Sequence, residues 1–121
     1  MTALVLLAHG SRDPRWQQRF YAMCDALRAQ LGDDRVGLAF LDHCPPTLKD
    51  TIAELAAAGA SELSILPLFM ATGAHVDRDL PRQLSDIDFA YPELTIEVLS
   101  PVGEHPLFVD LIARIAADTV A

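Results

Sequence analysis

The sequence predicts an α/β fold: a four-stranded, mostly parallel sheet with helices on both faces, in a single domain over residues 1–121. Three observations carry this. Short apolar runs alternate with segments whose apolar residues recur at helical spacing. The breaks between them hold glycine, proline and aspartate. Half of the chain is apolar, which at 121 residues is enough for a sizeable core.

Residues 3–8 (ALVLLA) read as a strand buried on both faces. Trp16, Phe20, Met23, Leu27 and Leu31 follow at helical spacing, and Gly32 with Asp33 ends that helix. Residues 36–41 (VGLAFL) form the second strand. Pro45 and Pro46 suit the start of a second helix, whose apolar face is Leu48, Ile52 and Leu55, with Gly59 as its stop. Residues 63–68 (LSILPL) form the third strand. A loop, FMATGAHVDRD, leads to a third helix expected near Pro81, since proline fits a first turn. Residues 94–99 (LTIEVL) form the fourth strand, and Pro106 opens a last helix with Phe108, Leu111, Ile112 and Ile115 facing inward.

The expected strand order is 2-1-3-4, a flavodoxin-like arrangement with the first and third strands adjacent. Ligands of such sheets bind beyond the carboxyl ends of the strands, where the chain changes direction. That edge carries residues 9–12, 42–45, 69–79 and 100–105.

Composition narrows the function. The formal net charge of -8 argues against nucleic acid, whose binding rests on neutralising phosphates. No apolar run approaches a membrane span, and the short apolar start lacks a basic leader, so the expectation is a soluble cytoplasmic protein with no membrane partner. Cys24 and Cys44 make neither a disulfide framework nor a CxxC site. Cys24 is expected to pack on the first helix, and Cys44 to be a buried thiol. There is no GxGxxG and no GxxxxGK[ST], which leaves nucleotide binding without support. No GxSxG elbow is present.

All four histidines, His9, His43, His75 and His105, fall on the predicted binding edge. His9 follows the first strand and His75 the third, so two imidazoles can face one cleft. Neutral imidazole is the commonest metal ligand. A helix amino terminus disfavours the imidazolium, and both His9 and His75 precede a helix. The competing reading is a turn or cap histidine bonded to backbone, and it is favoured for His105 in GEHP. His43 is open to either reading.

Of nine lysines and arginines, Arg12, Arg15, Lys49, Arg78 and Arg82 follow strands on the same edge. Cations at helix amino termini oppose the local dipole, and an anionic ligand would offset that cost. Alternatively they pair with the interleaved Asp13, Asp50, Asp77 and Asp79. Acids gather at the opposite edge: Asp33, Asp34, Asp86, Asp88 and Glu93.

Four stretches in order, LLAHGSRDP, FLDHCPPTL, ILPLFMATGAHVDRDLP and SPVGEHP, resemble the small CbiX/SirB-type sirohydrochlorin chelatases. The resemblance spans nearly the whole chain. It implies a chelatase α/β domain that inserts a divalent metal into sirohydrochlorin without ATP, toward cobalamin, sirohaem or a nickel tetrapyrrole. Cobalt or iron is the expected metal substrate, with nickel possible. A single-domain chain resembles the short form, which pairs as a homodimer to complete the cleft.

By that resemblance His9 and His75 match the family's two metal-site histidines. Asp42 stands where many relatives carry a glutamate after the second strand, and is the candidate proton relay. Arg12, Arg78 and Arg82 are the candidates for the ring's peripheral carboxylates. Phe69 and Met70 offer apolar surface to the macrocycle or else belong to the core, and Gly73 lets backbone approach the ring. The rival functional reading is a non-catalytic carrier of metal or tetrapyrrole with the same fold.

Overall fold

The computed structural model describes the backbone of residues 1–121 and every side chain except that of residue 75. Its elements alternate in chain order: β1 (Thr2–Ala8), α1 (Pro14–Leu31), β2 (Val36–Phe40), α2 (Leu48–Ala57), β3 (Glu62–Pro67), α3 (Ala74–Ala90) and β4 (Thr95–Val98). A short 3-10 turn (Val102–Glu104) and α4 (Pro106–Val120) complete the chain.

The sheet has the expected order β2-β1-β3-β4, and all three pairings are parallel. β1 is central, and Val5 to Ala8 are buried in succession. That is why this segment reads as a continuous apolar run rather than an alternating one. β1 pairs with β3 through Leu7↔Pro67, and the ladder continues one bond further, from the Leu68 N–H to the Leu7 carbonyl (2.8 Å).

Two cores form, one on each face. Val5, Leu7, Leu63 and Ile65 meet Leu48, Ile52 and Leu55 of α2 and Val76, Leu80 and Ile87 of α3. On the other face Leu6, Ala8, Leu38 and Phe40 meet Phe20 and Cys24 of α1. Cys24 packs on α1 as expected, and burial raises its thiol pKa. Of the five residues read at helical spacing, Trp16, Met23 and Leu31 are exposed, while α1 turns Phe20 and Cys24 toward the sheet.

Helix starts are where the expectations need correction. Pro45 and Pro46 do not open α2; they form a cis pair in the loop before it. The start is set by a capping box, in which Thr47 Oγ1 accepts from Asp50 N and Asp50 Oδ2 accepts from Thr47 N (both 3.1 Å). α3 begins at Ala74, well before Pro81, which lies inside it. The stripe Val76, Leu80, Leu84 and Ile87 holds the helix on the core, while exposed Pro81 only removes an N–H from the outer side. α1 is capped by Asp13, whose carboxylate accepts from Arg15 N, with Pro14 at its first position.

α4 forms as predicted, but its expected inward face is not covered. Phe108 is half-buried, and Leu111, Ile112 and Ile115 are exposed. Among the described residues, no helix is long and apolar enough to cross a membrane.

Thr51 is the buried polar side chain of the core, and its hydroxyl donates to the Leu38 carbonyl at 2.7 Å. This bond ties α2 to β2. Thr51→Val keeps the shape and removes the donor. It is expected to lower stability by about 1 kcal/mol in urea denaturation, with the fold unchanged by circular dichroism.

Candidate metal centre at the carboxyl edge of the sheet

The four loops at the carboxyl ends of the strands are tied to one another in strand order. Between β2 and β1, the Gly10 N–H donates to Asp42 Oδ1 at 2.9 Å. Gly10 is required there, since a Cβ would collide with the Asp42 carbonyl oxygen. Between β1 and β3, the His9 ring stacks on Phe69, with centroids 4.2 Å apart and planes 26° from parallel. Between β3 and β4, the Gly103 N–H donates to the Phe69 carbonyl at 2.9 Å. A Cβ on Gly103 would run into the Met70 backbone, so this loop contact also depends on glycine.

His9 therefore sits at the junction of the two central strands. It is half-buried, with one ring face held by Phe69. Its carbonyl accepts the Trp16 indole N–H at 2.8 Å, which anchors the loop to the first turn of α1. A half-buried ring held against a platform can present a nitrogen to an ion without losing much rotamer freedom on binding.

Asp42 lies beside it, at the end of β2, with its side chain about one-fifth exposed. One carboxylate oxygen accepts from Gly10, and the other lies 3.6 Å from His43 Nε2. The Cys44 N–H returns to the Asp42 carbonyl at 2.8 Å, and this tight turn gives His43 a φ of 64°. His43 is thereby set outside the edge, largely exposed. Cys44, expected to be buried, is half-buried.

His75 is the second residue of α3, and not in a loop before a helix, because α3 starts at Ala74. Its side chain lies outside the described residues. Among the described residues no three of His, Cys, Asp and Glu gather into a metal-ion cluster. His105 is a helix cap, as expected: its Nδ1 accepts from Leu107 N at 3.1 Å.

The basic residues divide. Arg15 makes a fork with Asp13, Nε–Oδ1 3.3 Å and Nη2–Oδ2 3.0 Å, which accounts for it without any ligand. This pairing holds the Asp13 carboxyl below its ordinary pKa. Arg12, Arg78 and Arg82 are exposed and enter no ion pair among the described residues. Arg78 and Arg82 are four apart on α3 and share a face. Lys49 lies farther along the edge, lining a cavity with Leu41, Thr47, Gln83, Asp86 and Ile87. Asp86 therefore belongs beside the start of α2, not with the acids of the far edge.

The two apolar candidates also separate. Phe69 is only 3 % exposed and acts as the platform under His9, so it is core and not open surface for a ligand. Met70 is 66 % exposed. Gly73 is exposed, with nothing within 4 Å of a Cβ built there. Trp16 was not anticipated as a support for the site. Its only sequence signal is an aromatic in the first turn after HGSRDP.

A family model, CbiX, matches residues 3–119. The chain belongs to the CbiX family. Among its curated relatives is a sirohydrochlorin cobaltochelatase of Saccharolobus islandicus (strain L.S.2.15 / Lassen #1), 31% identical over 109 residues, covering 85% of this chain and 84% of the relative. The fold is shared with a solved structure from Marinobacter aquaeolei VT8 described as a cobalamin biosynthesis CbiX protein. It has a TM-score of 0.85 at 23% identity, covering 99% of this chain and 98% of that one. The sirohydrochlorin chelatase SirB from Bacillus subtilis subspecies spizizenii, solved in complex with cobalt, superposes with a TM-score of 0.82 at 25% identity. It covers 97% of this chain but 50% of that one. One copy of this CbiX fold thus spans half of the longer chain.

Asp42→Ala removes the acceptor that ties the first two loops, whereas Asp42→Asn keeps an oxygen in place. The alanine variant is expected to lose about 1.5–3 kcal/mol in urea denaturation and the asparagine variant less than half of that. Equal losses would show that the Gly10 contact contributes nothing.

Proposed function

We propose that this chain is a sirohydrochlorin metal chelatase, a lyase that inserts Co(II) or Fe(II) into the tetrapyrrole without a nucleotide. It acts as a single domain over residues 1–121 and as a cytoplasmic homodimer, on the way to cobalamin or sirohaem. The observation that carries the reading is His9, held by Phe69 and Trp16 where β1 meets β3, in a chain 31% identical to a cobaltochelatase. The homodimer is supported by the half-length match to SirB.

The chemistry follows from what the reaction must do. A free-base tetrapyrrole gives up two pyrrole N–H protons as M²⁺ enters, and the ion sheds water. His9 and His75 hold the incoming ion through neutral imidazole nitrogens, at about 2.0–2.1 Å if zinc is a guide. Transfer to the ring frees the imidazoles, and one of them accepts a pyrrole proton. Asp42, next to His9 through Gly10, is the relay for the second. Arg12, Arg78 and Arg82 take the peripheral carboxylates, where guanidinium forks bind bidentately. Met70 and Gly73 flank the ring from the loop after β3.

The direct test mixes purified protein, sirohydrochlorin and Co(II), Fe(II) or Ni(II), and follows the absorbance change against a no-protein control. Insertion faster than the control is expected. A rate equal to the control, with metal or tetrapyrrole still bound, would make the chain a carrier instead. His9→Ala and His75→Ala are each expected to lower the insertion rate roughly a hundredfold or more, with the melting temperature little changed. Arg78→Ala is expected to weaken tetrapyrrole binding, read by fluorescence titration, more than metal binding. Equal losses of both would remove it from the substrate site.

A further inference from the structure

The backbone of Leu41 joins three elements. Leu41 stands just past the end of β2 and precedes Asp42 in the chain. Its N–H donates to the Ala8 carbonyl at 2.8 Å, and Ala8 is the last residue of β1 before His9. Its carbonyl accepts from Gln83 Nε2 of α3 at 3.1 Å, across 42 residues of sequence. Leu41 thus ties together the elements that lead to His9, Asp42 and His75.

The contact that α3 makes through Val76, Leu80, Leu84 and Ile87 is apolar. Apolar burial is non-directional: it decides which face of a helix turns inward and constrains slide along the axis only weakly. A hydrogen bond has a length and a direction, so it fixes a point. The packing beside Gln83 leaves slack for such a bond to remove. A cavity of about 230 Å³ lies between the start of α2 and α3, bounded by Leu41, Thr47, Lys49, Gln83, Asp86 and Ile87. From that wall the Gln83 amide reaches the strand end.

We propose that Gln83 is a positioning residue of the metal site: it pins α3 to the end of β2 and so sets where residue 75 stands relative to His9 and Asp42. The inference rests on the chelatase reading above, which takes His9 and His75 as the ligands of the incoming ion. Gln83 acts through α3 and not on the ion itself. It follows residue 75 by eight positions on one continuous helix, about 12 Å along the axis, so a shift of α3 at Gln83 is carried to residue 75. Two imidazoles on different elements hold one ion only while those elements keep their spacing to about 0.5 Å. The competing account is that the amide only satisfies a carbonyl at a strand end.

A Co(II) titration of histidine-labelled protein distinguishes the two. The His9 ring resonance gives the affinity, weak or tight, and circular dichroism is the folding control. Gln83→Met keeps the length of the side chain and removes the donor, and is expected to weaken Co(II) binding roughly tenfold. In a His75→Ala background the same substitution is expected to change the remaining affinity by roughly twofold or less, because α3 then has no ligand to position. Equal losses in the two backgrounds, or no loss in either, overturn the positioning role. If Gln83→Met does not fold, Gln83→Asn, one methylene too short to reach Leu41, carries the same comparison. A wild type that binds no Co(II) overturns this inference and the chelatase reading together. A wild type that shows the coupling but inserts no metal into sirohydrochlorin overturns the chelatase reading and leaves the role of Gln83 standing.

Discussion

The parallel pairing of β1 with β3 is the contact on which the edge of this sheet depends. It brings Leu7 against Pro67 and continues through the bond from Leu68 N–H to the Leu7 carbonyl. Two residues beyond that pair, on each chain segment, stand His9 and Phe69, and their rings stack. The position of the imidazole is therefore a consequence of strand register: a slip by one residue would put Phe69 on the opposite face and leave His9 without its platform. The other loops hang from this junction. Asp42 holds Gly10, and Phe69 holds Gly103, so the edge is a connected strip and not four separate loops.

This arrangement suits an ion that must be received and then given away. A rigid support fixes the His9 ring, which limits the entropy a bound partner would cost it. The supports use a backbone carbonyl, a ring face and one carboxylate oxygen, and His9 remains half-buried. The charge pattern follows the same division. Arg15 is neutralised by Asp13, while Arg12, Arg78 and Arg82 remain exposed cations on a chain whose net charge is -8.

Much of this was legible in the sequence. β1 and β2 announced themselves as apolar runs because they are buried on both faces, and the order 2-1-3-4 followed from the βα alternation. The placement of His9 at a strand end needed nothing more. Other features depended on contacts that one sequence does not display. Proline suggested helix starts at Pro45 and Pro81, but side-chain capping by Thr47 and core packing of Val76 decided them. Phe69 at the end of an apolar strand reads equally as ligand surface or as core, and only its stack on His9 resolves the matter. Phe108, Leu111, Ile112 and Ile115 were read as inward-facing because periodicity reports that a face is apolar, not what lies against it.

The central claim is that metal enters at the junction of β1 and β3. Nuclear magnetic resonance of histidine-labelled protein titrated with Co(II) tests it most directly, because a paramagnetic ion shifts the ring signals nearest to it. The account predicts that the His9 and His75 ring resonances move together at the first equivalents of metal. Shifts at His43 or His105, with those of His9 and His75 left in place, would contradict it.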